Sequence, residues 1–194
     1  MKRRLGTVLI LALAIVSLTG CGIVKVVPIG EEANYTGEVT FDASAEAADS
    51  WGAIVDELTG KAEDLATLKS AGTEKSAVYT VSFSGKVNEY NTDTPKGFID
   101  VSVDGVSDTV HVQIGKVFSG TTVRDSQTGK AYQDFTNQTE WSEYAKTIND
   151  NVKTNVIDPL ELEGSVGKTV EVIGCFAEDG SGTLVVTPVA LTIK

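Results

Sequence analysis

Three segments of this chain alternate apolar and polar residues with period two, two further runs are strand-like, and a segment of helical period divides them three and two. Tyr79, Val81, Phe83 and Val87 mark the first, Ile99, Val101 and Val103 the second, and Val110, Val112 and Ile114 the third. Side chains alternate across a strand, so each segment predicts a strand with one face on a core. Residues 91–97, with Pro95 and Gly97, supply one turn and Asp104-Gly105 starts the next, which are antiparallel hairpin signals. A loop rich in Gly, Ser, Thr and Asp is expected over 115–136. Trp141, Tyr144, Ala145, Ile148 and Val152 then fall at helical spacing behind Asn137 as N-cap and Glu140 at the third helical position. That helix is expected over 137–154, and Asp158-Pro159 ends the segment. Two more strand-like runs follow, 169–176 and 183–193, joined by the turn 178–182. Pro188 inside the last run predicts an edge or a bulged strand, because proline has no N–H for a ladder.

Three strands, a helix and two strands is the element order of the OB-fold, a five-stranded, partly open barrel. The chain is therefore expected to be mainly β with helices (α+β), an OB-like barrel over 73–194 that contains the helix 137–154. Other small barrels and an α+β sandwich share this element order. Ahead of it, Ala48, Trp51, Val55, Leu58, Ala62, Leu65 and Leu68 trace one helical stripe, which predicts a helical arm over 42–72, capped by Asp42 and ended by Ala71-Gly72. Gly60 lies inside it and costs about 1 kcal/mol relative to Ala, so the arm is one bent helix or two joined there. The stripe, Trp51 included, is read as core.

The first twenty residues form an export signal. Lys2, Arg3 and Arg4 precede an apolar run over 5–18, and Leu18-Thr19-Gly20-Cys21 closes it. The run is shorter than the roughly 20 apolar residues a membrane-spanning helix needs. The pattern resembles bacterial lipoprotein signals, which implies cleavage between Gly20 and Cys21, a diacylglyceryl thioether on Cys21 and acylation of the new amino terminus. The alternative is an uncleaved anchor with an incidental cysteine. One acyl chain binds a membrane marginally, whereas two or more anchor it stably. Gly22, where an inner-membrane retention signal has Asp, favours the outer membrane in a two-membrane cell. Residues 21–41 read as a tether with short extended pieces around Val24–Ile29 and over 35–41. The expected location is the cell envelope, lipid-anchored and facing the periplasm or the exterior.

Charge narrows the partners. The formal charge is −11, and losing Lys2, Arg3 and Arg4 with the leader takes it three further, to −14. Binding DNA or RNA draws much of its affinity from Lys and Arg displacing counterions, so nucleic acid is not an expected partner. Cys21 and Cys175 are the two cysteines; with Cys21 lipidated, no intramolecular disulfide can form.

The run Val112-Gln-Ile-Gly-Lys-Val-Phe-Ser-Gly-Thr-Thr-Val-Arg-Asp125, then Asp134-Phe-Thr-Asn-Gln138 and Tyr144, resembles the signature of the DUF2291 family of predicted periplasmic lipoproteins. Lys25-Val-Val-Pro-Ile29, Gly167-Lys-Thr-Val and Val186-Thr-Pro-Val-Ala-Leu191 extend the likeness over nearly the whole mature chain. The family has no established activity. Its members are often encoded beside sugar ABC transporters, so the resemblance implies an accessory or ligand-related role.

The residues themselves place the candidate site in 115–138. Arg124 offers a planar fork of donors, and Asp125, Asp134, Asn137 and Gln138 add acceptors and amides beside Tyr132, Phe135 and Trp141. Such a set could hold the hydroxyls of a small sugar on an apolar platform. The structural alternative pairs Arg124 with Asp125 or Asp134 to pin the loop, leaves Asn137 as a helix cap and puts Trp141 in the core. Catalysis finds little support. His111, the one histidine, falls on the outward parity of its strand, no Gly-x-Ser-x-Gly elbow or His-Glu-x-x-His helix is present, and Cys175 reads as a small strand residue. No metal site or cofactor is expected. The chain is thus expected to be a non-catalytic, membrane-anchored accessory protein near a sugar ABC transporter, with sugar binding over 124–138 as the alternative and carboxylate-based hydrolysis a distant third.

Overall fold

The computed structural model describes residues 42–194. The export signal, Cys21 and the extended pieces expected within 21–41 lie outside the described residues. The elements in order are α1 (Ala43–Lys61), the two-residue strand β1 (Glu63–Asp64), α2 (Leu65–Ala71), β2 (Val78–Asn91), β3 (Phe98–Val103) and β4 (Thr109–Gln113). Then come α3 (Thr122–Ser126), a 3-10 turn (Tyr132–Asp134), α4 (Gln138–Val152), a π-helical turn (Lys153–Ile157), β5 (Thr169–Ala177) and β6 (Thr183–Ile193).

Strands β2, β3, β4, β6 and β5 pair in that order, and β5 pairs back onto β2, which closes the sheet into a five-stranded barrel. Every barrel pair is antiparallel except β4 with β6. A parallel pair cannot be joined by a hairpin and needs a long crossover. The chain from 114 to 182 makes that crossover and carries α4, so the expected helix between the third and fourth barrel strands is present.

Closure falls on β2. Its first nine residues, 78–86, pair with β5, and from Gly85 onward it pairs with β3, so Gly85 and Lys86 are held on both sides. A register shift between Val87 and Glu89 leaves Asn88 as an extra residue, a bulge that bends the strand and increases its twist. At the bend the strands approach so closely that a Cβ on Gly85 would lie 2.4 Å from the Ser102 carbonyl oxygen. Inside, Val81, Val87, Ile99 and Val112 of the period-two sets are buried, with Val170 and Val186 from the two later strands. Pro188 is accommodated by a bulge: opposite β5 the register passes from Ala190 to Pro188, leaving Val189 unopposed. β6 has a neighbour on each side, so the edge alternative does not hold.

The arm is two helices. α1 ends at Lys61, β1 pairs in parallel with β2, and α2 begins behind Asp64, whose Oδ1 accepts from the Thr67 N–H at 2.8 Å. Asp42 caps α1 by accepting from the Ala45 N–H at 3.0 Å. The buried stripe of α1 differs from the expected one: Ala47, Ile54 and Leu58 are buried, Ala48 is exposed, and Trp51 and Val55 are partly exposed. The apolar face of α1 is broad enough to allow either seat, and α4 selects one. The Ser50 hydroxyl donates to the Glu46 carbonyl at 2.7 Å, so the Tyr144 hydroxyl, 3.0 Å away, donates to Ser50, while Asn151 Nδ2 donates to the Ala47 carbonyl at 3.1 Å.

One buried carboxylate ties α2 to two barrel turns. Glu178, 6% exposed, accepts from Lys69 Nζ and the Thr73 hydroxyl at 2.8 Å each and from the Gly180 N–H at 2.9 Å; Lys69 also meets Asp108 at 3.3 Å. The bonds from Lys69, Thr73 and Gly180 hold the Glu178 carboxyl below the usual range. Burial would lower the Lys69 ammonium, but Glu178 and Asp108 more than offset it and raise it.

Two predictions follow from this framework. Gly85→Ala should destabilise the barrel by about 1–3 kcal/mol, read as a lower urea midpoint, because backbone atoms rather than a flexible side chain must shift. Glu178→Gln should cost about 1–3 kcal/mol at neutral pH. A depressed carboxyl stabilises above its unfolded value, about 4.3, and loses that contribution as pH falls through the folded value. Melting curves of wild type and Glu178→Gln should therefore converge in acid.

Candidate functional site

The segment expected as a loop over 115–136 is held by two buried glutamines. Gln113 Nε2 donates to the Thr187 hydroxyl at 2.7 Å and to the Ser119 carbonyl at 3.2 Å, and its Oε1 accepts from the Ser119 N–H at 2.8 Å. Gln127 Nε2 donates to the carbonyls of Arg124 and Lys130 at 3.1 and 2.6 Å, and its Oε1 accepts from the Lys130 N–H at 2.8 Å. Buried polar backbone must find partners, and these amides supply them where no ladder can. Between them the chain forms α3 over Thr122–Ser126, a composition of modest helix propensity held by the fully buried Val123.

Arg124 is enclosed by its neighbours. Its Nε and Nη2 donate to Asp125 Oδ1 at 2.8 and 2.6 Å, Nη1 donates to the Trp141 carbonyl at 3.3 Å, and the guanidinium carbon lies 4.2 Å from the centre of the Trp141 ring. Its side chain is 12% exposed. Asp125 Oδ2 also accepts from the Thr121 hydroxyl at 2.5 Å. Asp134 Oδ2 accepts from the Ala131 N–H at 2.8 Å and so caps its own 3-10 turn. Asn137 is the N-cap read from the sequence, accepting from the Glu140 N–H at 3.0 Å, while Glu140 reaches back to the Thr136 N–H at 2.8 Å. Gln138 stands exposed on the first turn of α4.

The structure thus brings Arg124 and Asp125 onto Trp141 and uses Asp134 and Asn137 to start two successive turns. Trp141 belongs to an aromatic cluster, with Phe135 at 5.0 Å, Tyr144 at 6.0 Å and Tyr132 at 6.4 Å between ring centres. Burial pushes the Tyr144 phenol up. The same segment is stitched to α1: Glu57 accepts from the Thr128 N–H at 3.0 and 3.1 Å, Lys61 donates to the Ser126 carbonyl, and Lys130 pairs with Glu46 at 2.6 Å. Burial would raise the Glu57 carboxyl, but the bonds from Lys61 and Thr128 outweigh it and lower it. Tyr132, 50% exposed, leaves one open aromatic edge-on to Trp141.

Two groups set apart in the sequence also have their surroundings. His111 is on the outer face of β4, stacked on Phe98 at 3.9 Å between ring centres, with Nε2 3.5 Å from Asp100 Oδ2. Cys175 is fully buried in β5, and burial pushes its thiol up. Among the described residues no group of three or more His, Cys, Asp or Glu is placed to hold a metal ion, and no helix is long and apolar enough to cross a membrane.

The sequence reading passed over Gln113 and Gln127. Gln113 has the outward parity of β4, and the signal available was an amide directly before the turn-rich segment it anchors. Arg124→Ala should remove charged hydrogen bonds and the contact with Trp141 together, costing about 2 kcal/mol. The measurement is urea unfolding followed by tryptophan fluorescence in a Trp51→Phe background, which leaves Trp141 as the reporter, with the native emission shifted to the red.

A crystal structure of an OB-fold protein from Thermotoga maritima is similar to this chain, with a TM-score of 0.66 at 19% identity over 80% of this chain and 100% of that one. At that identity the likeness concerns the fold, and it agrees with the five-stranded barrel seen here. No curated protein is detectably similar to the chain. The family model for predicted periplasmic lipoproteins, DUF2291, matches residues 11–192, and the chain belongs to that family.

Proposed function

We propose that the chain is a non-catalytic lipoprotein of the cell envelope, held at a membrane by lipid on Cys21, whose barrel is an accessory or partner-binding body for a solute ABC transporter, with a sugar as the solute class. The anchor is supported by Leu18-Thr19-Gly20-Cys21 and by membership of a family of predicted periplasmic lipoproteins. The observation that carries the non-catalytic part is how the reactive groups are used. The Cys175 thiol is buried, His111 is stacked on Phe98 beside Asp100, and Arg124 is bound to Asp125 and Trp141. A nucleophile needs an adjacent base within hydrogen-bond reach and access to substrate, and the Cys175 thiol lacks that access.

A second reading is a small-sugar site over Arg124–Gln138, favoured by the half-exposed ring of Tyr132 standing edge-on to Trp141. Calorimetric titration with neutral sugars tests it, with binding lost in Arg124→Ala as the supporting result.

Cys21→Ser should move the protein from the membrane fraction to the soluble fraction, and mass spectrometry of the native product should find a diacylglyceryl thioether at Cys21. Crosslinking in intact cells should capture transporter subunits. An unmodified Cys21 thiol overturns the anchor, and capture of no transporter subunit overturns the accessory role.

A further inference from the structure

Away from Arg124, two cavities of ≈ 580 and ≈ 680 Å³ adjoin at one end of the barrel and share Tyr90, Ile114 and Asp158 as lining. Small-molecule sites commonly have volumes of about 300–1,000 Å³. One wall is the β2–β3 turn, fixed to the end of β4. The Ile114 N–H donates to the Gly97 carbonyl and the Val117 N–H to the Pro95 carbonyl, both at 2.9 Å. A Cβ on Gly115 would lie 2.3 Å from the Gly97 nitrogen, so turn and strand touch through bare backbone. The opposite wall is the π-helical turn Lys153–Ile157. Such turns are rare and are frequent at functional sites. This one is continued by Asp158, whose carboxylate receives Lys153 Nζ at 2.7 and 2.6 Å at the cavity wall.

The polar groups facing this groove contrast with those around Arg124. The hydroxyls of Tyr90, Thr92 and Thr94, the Lys116 ammonium and the Asp93 carboxylate all line the first cavity, and none has a protein partner among the described residues. Around Arg124 the polar side chains of Gln127, Asp134 and Asn137 are engaged in holding the backbone. Here the hydroxyls, Lys116 and Asp93 are left to solvent, beside the Tyr90 ring, Pro95 and Ile114.

We propose that this groove binds a neutral, polyhydroxylated ligand of the size of a mono- or disaccharide, with the Tyr90 ring and Ile114 against its C–H face and Lys116, Asp93 and the Lys153–Asp158 pair on its hydroxyls. Charge decides the class. The first cavity has two cationic residues, Lys116 and Lys153, and two anionic ones, Asp93 and Asp158, so it offers donors and acceptors with no net charge to select an ion. Glu161 and Glu163 line the second cavity and make that end of the groove acidic, which adds acceptors and repels anionic ligands, so the neutral class rests on the first cavity. A hydroxyl both donates and accepts, which suits such a mixed wall. The proposal does not depend on the accessory role or on Arg124.

The test is calorimetric titration of the full mature, lipidated protein in detergent with a panel of neutral mono- and disaccharides, alongside a uronic acid and an amino sugar as charged comparators. At least one neutral member should bind, and Tyr90→Ala and Lys116→Ala should each weaken it about tenfold, as expected for one lost stacking contact or hydrogen bond. Lys116 is exposed, so its variant tests the site without disturbing the core. No binding by any neutral member, binding of a charged comparator alone, or affinity that survives both groove substitutions overturns the proposal. Affinity that falls instead with Arg124→Ala overturns it in favour of the Arg124–Gln138 region.

Discussion

Closure of the barrel rests on one bent strand. β2 serves two partners because its first part lies along β5 and its second along β3, and the two pairings overlap at Gly85 and Lys86. The overlap needs a residue without a side chain where Ser102 crosses, and a bulge at Asn88 to redirect the strand. With β2 so bent, β4 and β6 are brought together in parallel, and the long crossover between them must fold over the outside of the barrel. The position of α4, the seat of α1 upon it and the path of residues 115–136 all descend from that closure.

The crossover illustrates what buried backbone demands. A long segment without ladder partners leaves N–H and C=O groups to be satisfied, and this chain uses side chains to do it: Gln113 and Gln127 inside, Asp134 and Asn137 at turn starts, Arg124 against Asp125 and Trp141. Residues of the types that make ligand sites are here engaged in keeping the loop folded and α1 attached. The groove at the opposite wall of the crossover differs: Lys153 and Asp158 pair with each other there, but backbone hydrogen bonds tie the turn over 92–97 to the end of β4, and the side chains of Thr92, Asp93, Thr94 and Lys116 have no protein partner among the described residues.

Much of the fold was legible in the residues. Three period-two segments and two strand-like runs marked the five barrel strands, Asn137 and Glu140 marked the start of α4, and of the two outcomes that Pro188 allowed the bulge is the one present, leaving Val189 unopposed. The arm was legible as helix but not in its seating. Ala47, Ile54 and Leu58 form the buried stripe because Tyr144 and Asn151 of α4 bind Ser50 and Ala47, contacts 94 and 104 residues apart in sequence. The site was legible as a composition. Whether Arg124 faced a ligand or Trp141 depended on a neighbour seventeen positions away, and Tyr90, Lys116 and Asp158 carry no local pattern that would group them.

The sequence by itself carried a pattern that resembles an export and lipidation signal, the acidic balance that disfavours nucleic acid, and the order of strands and helix, since each is written in local composition or in a period of two or 3.6 residues. Tertiary structure alone decided which face of α1 is buried, that Arg124 is spent on Asp125 and Trp141, and that a groove opens between the β2–β3 turn and the π-helical turn. The physical reason is that burial and hydrogen-bond satisfaction are properties of contacts. In this protein the deciding contacts form only when β2 closes the barrel and folds the crossover back upon it.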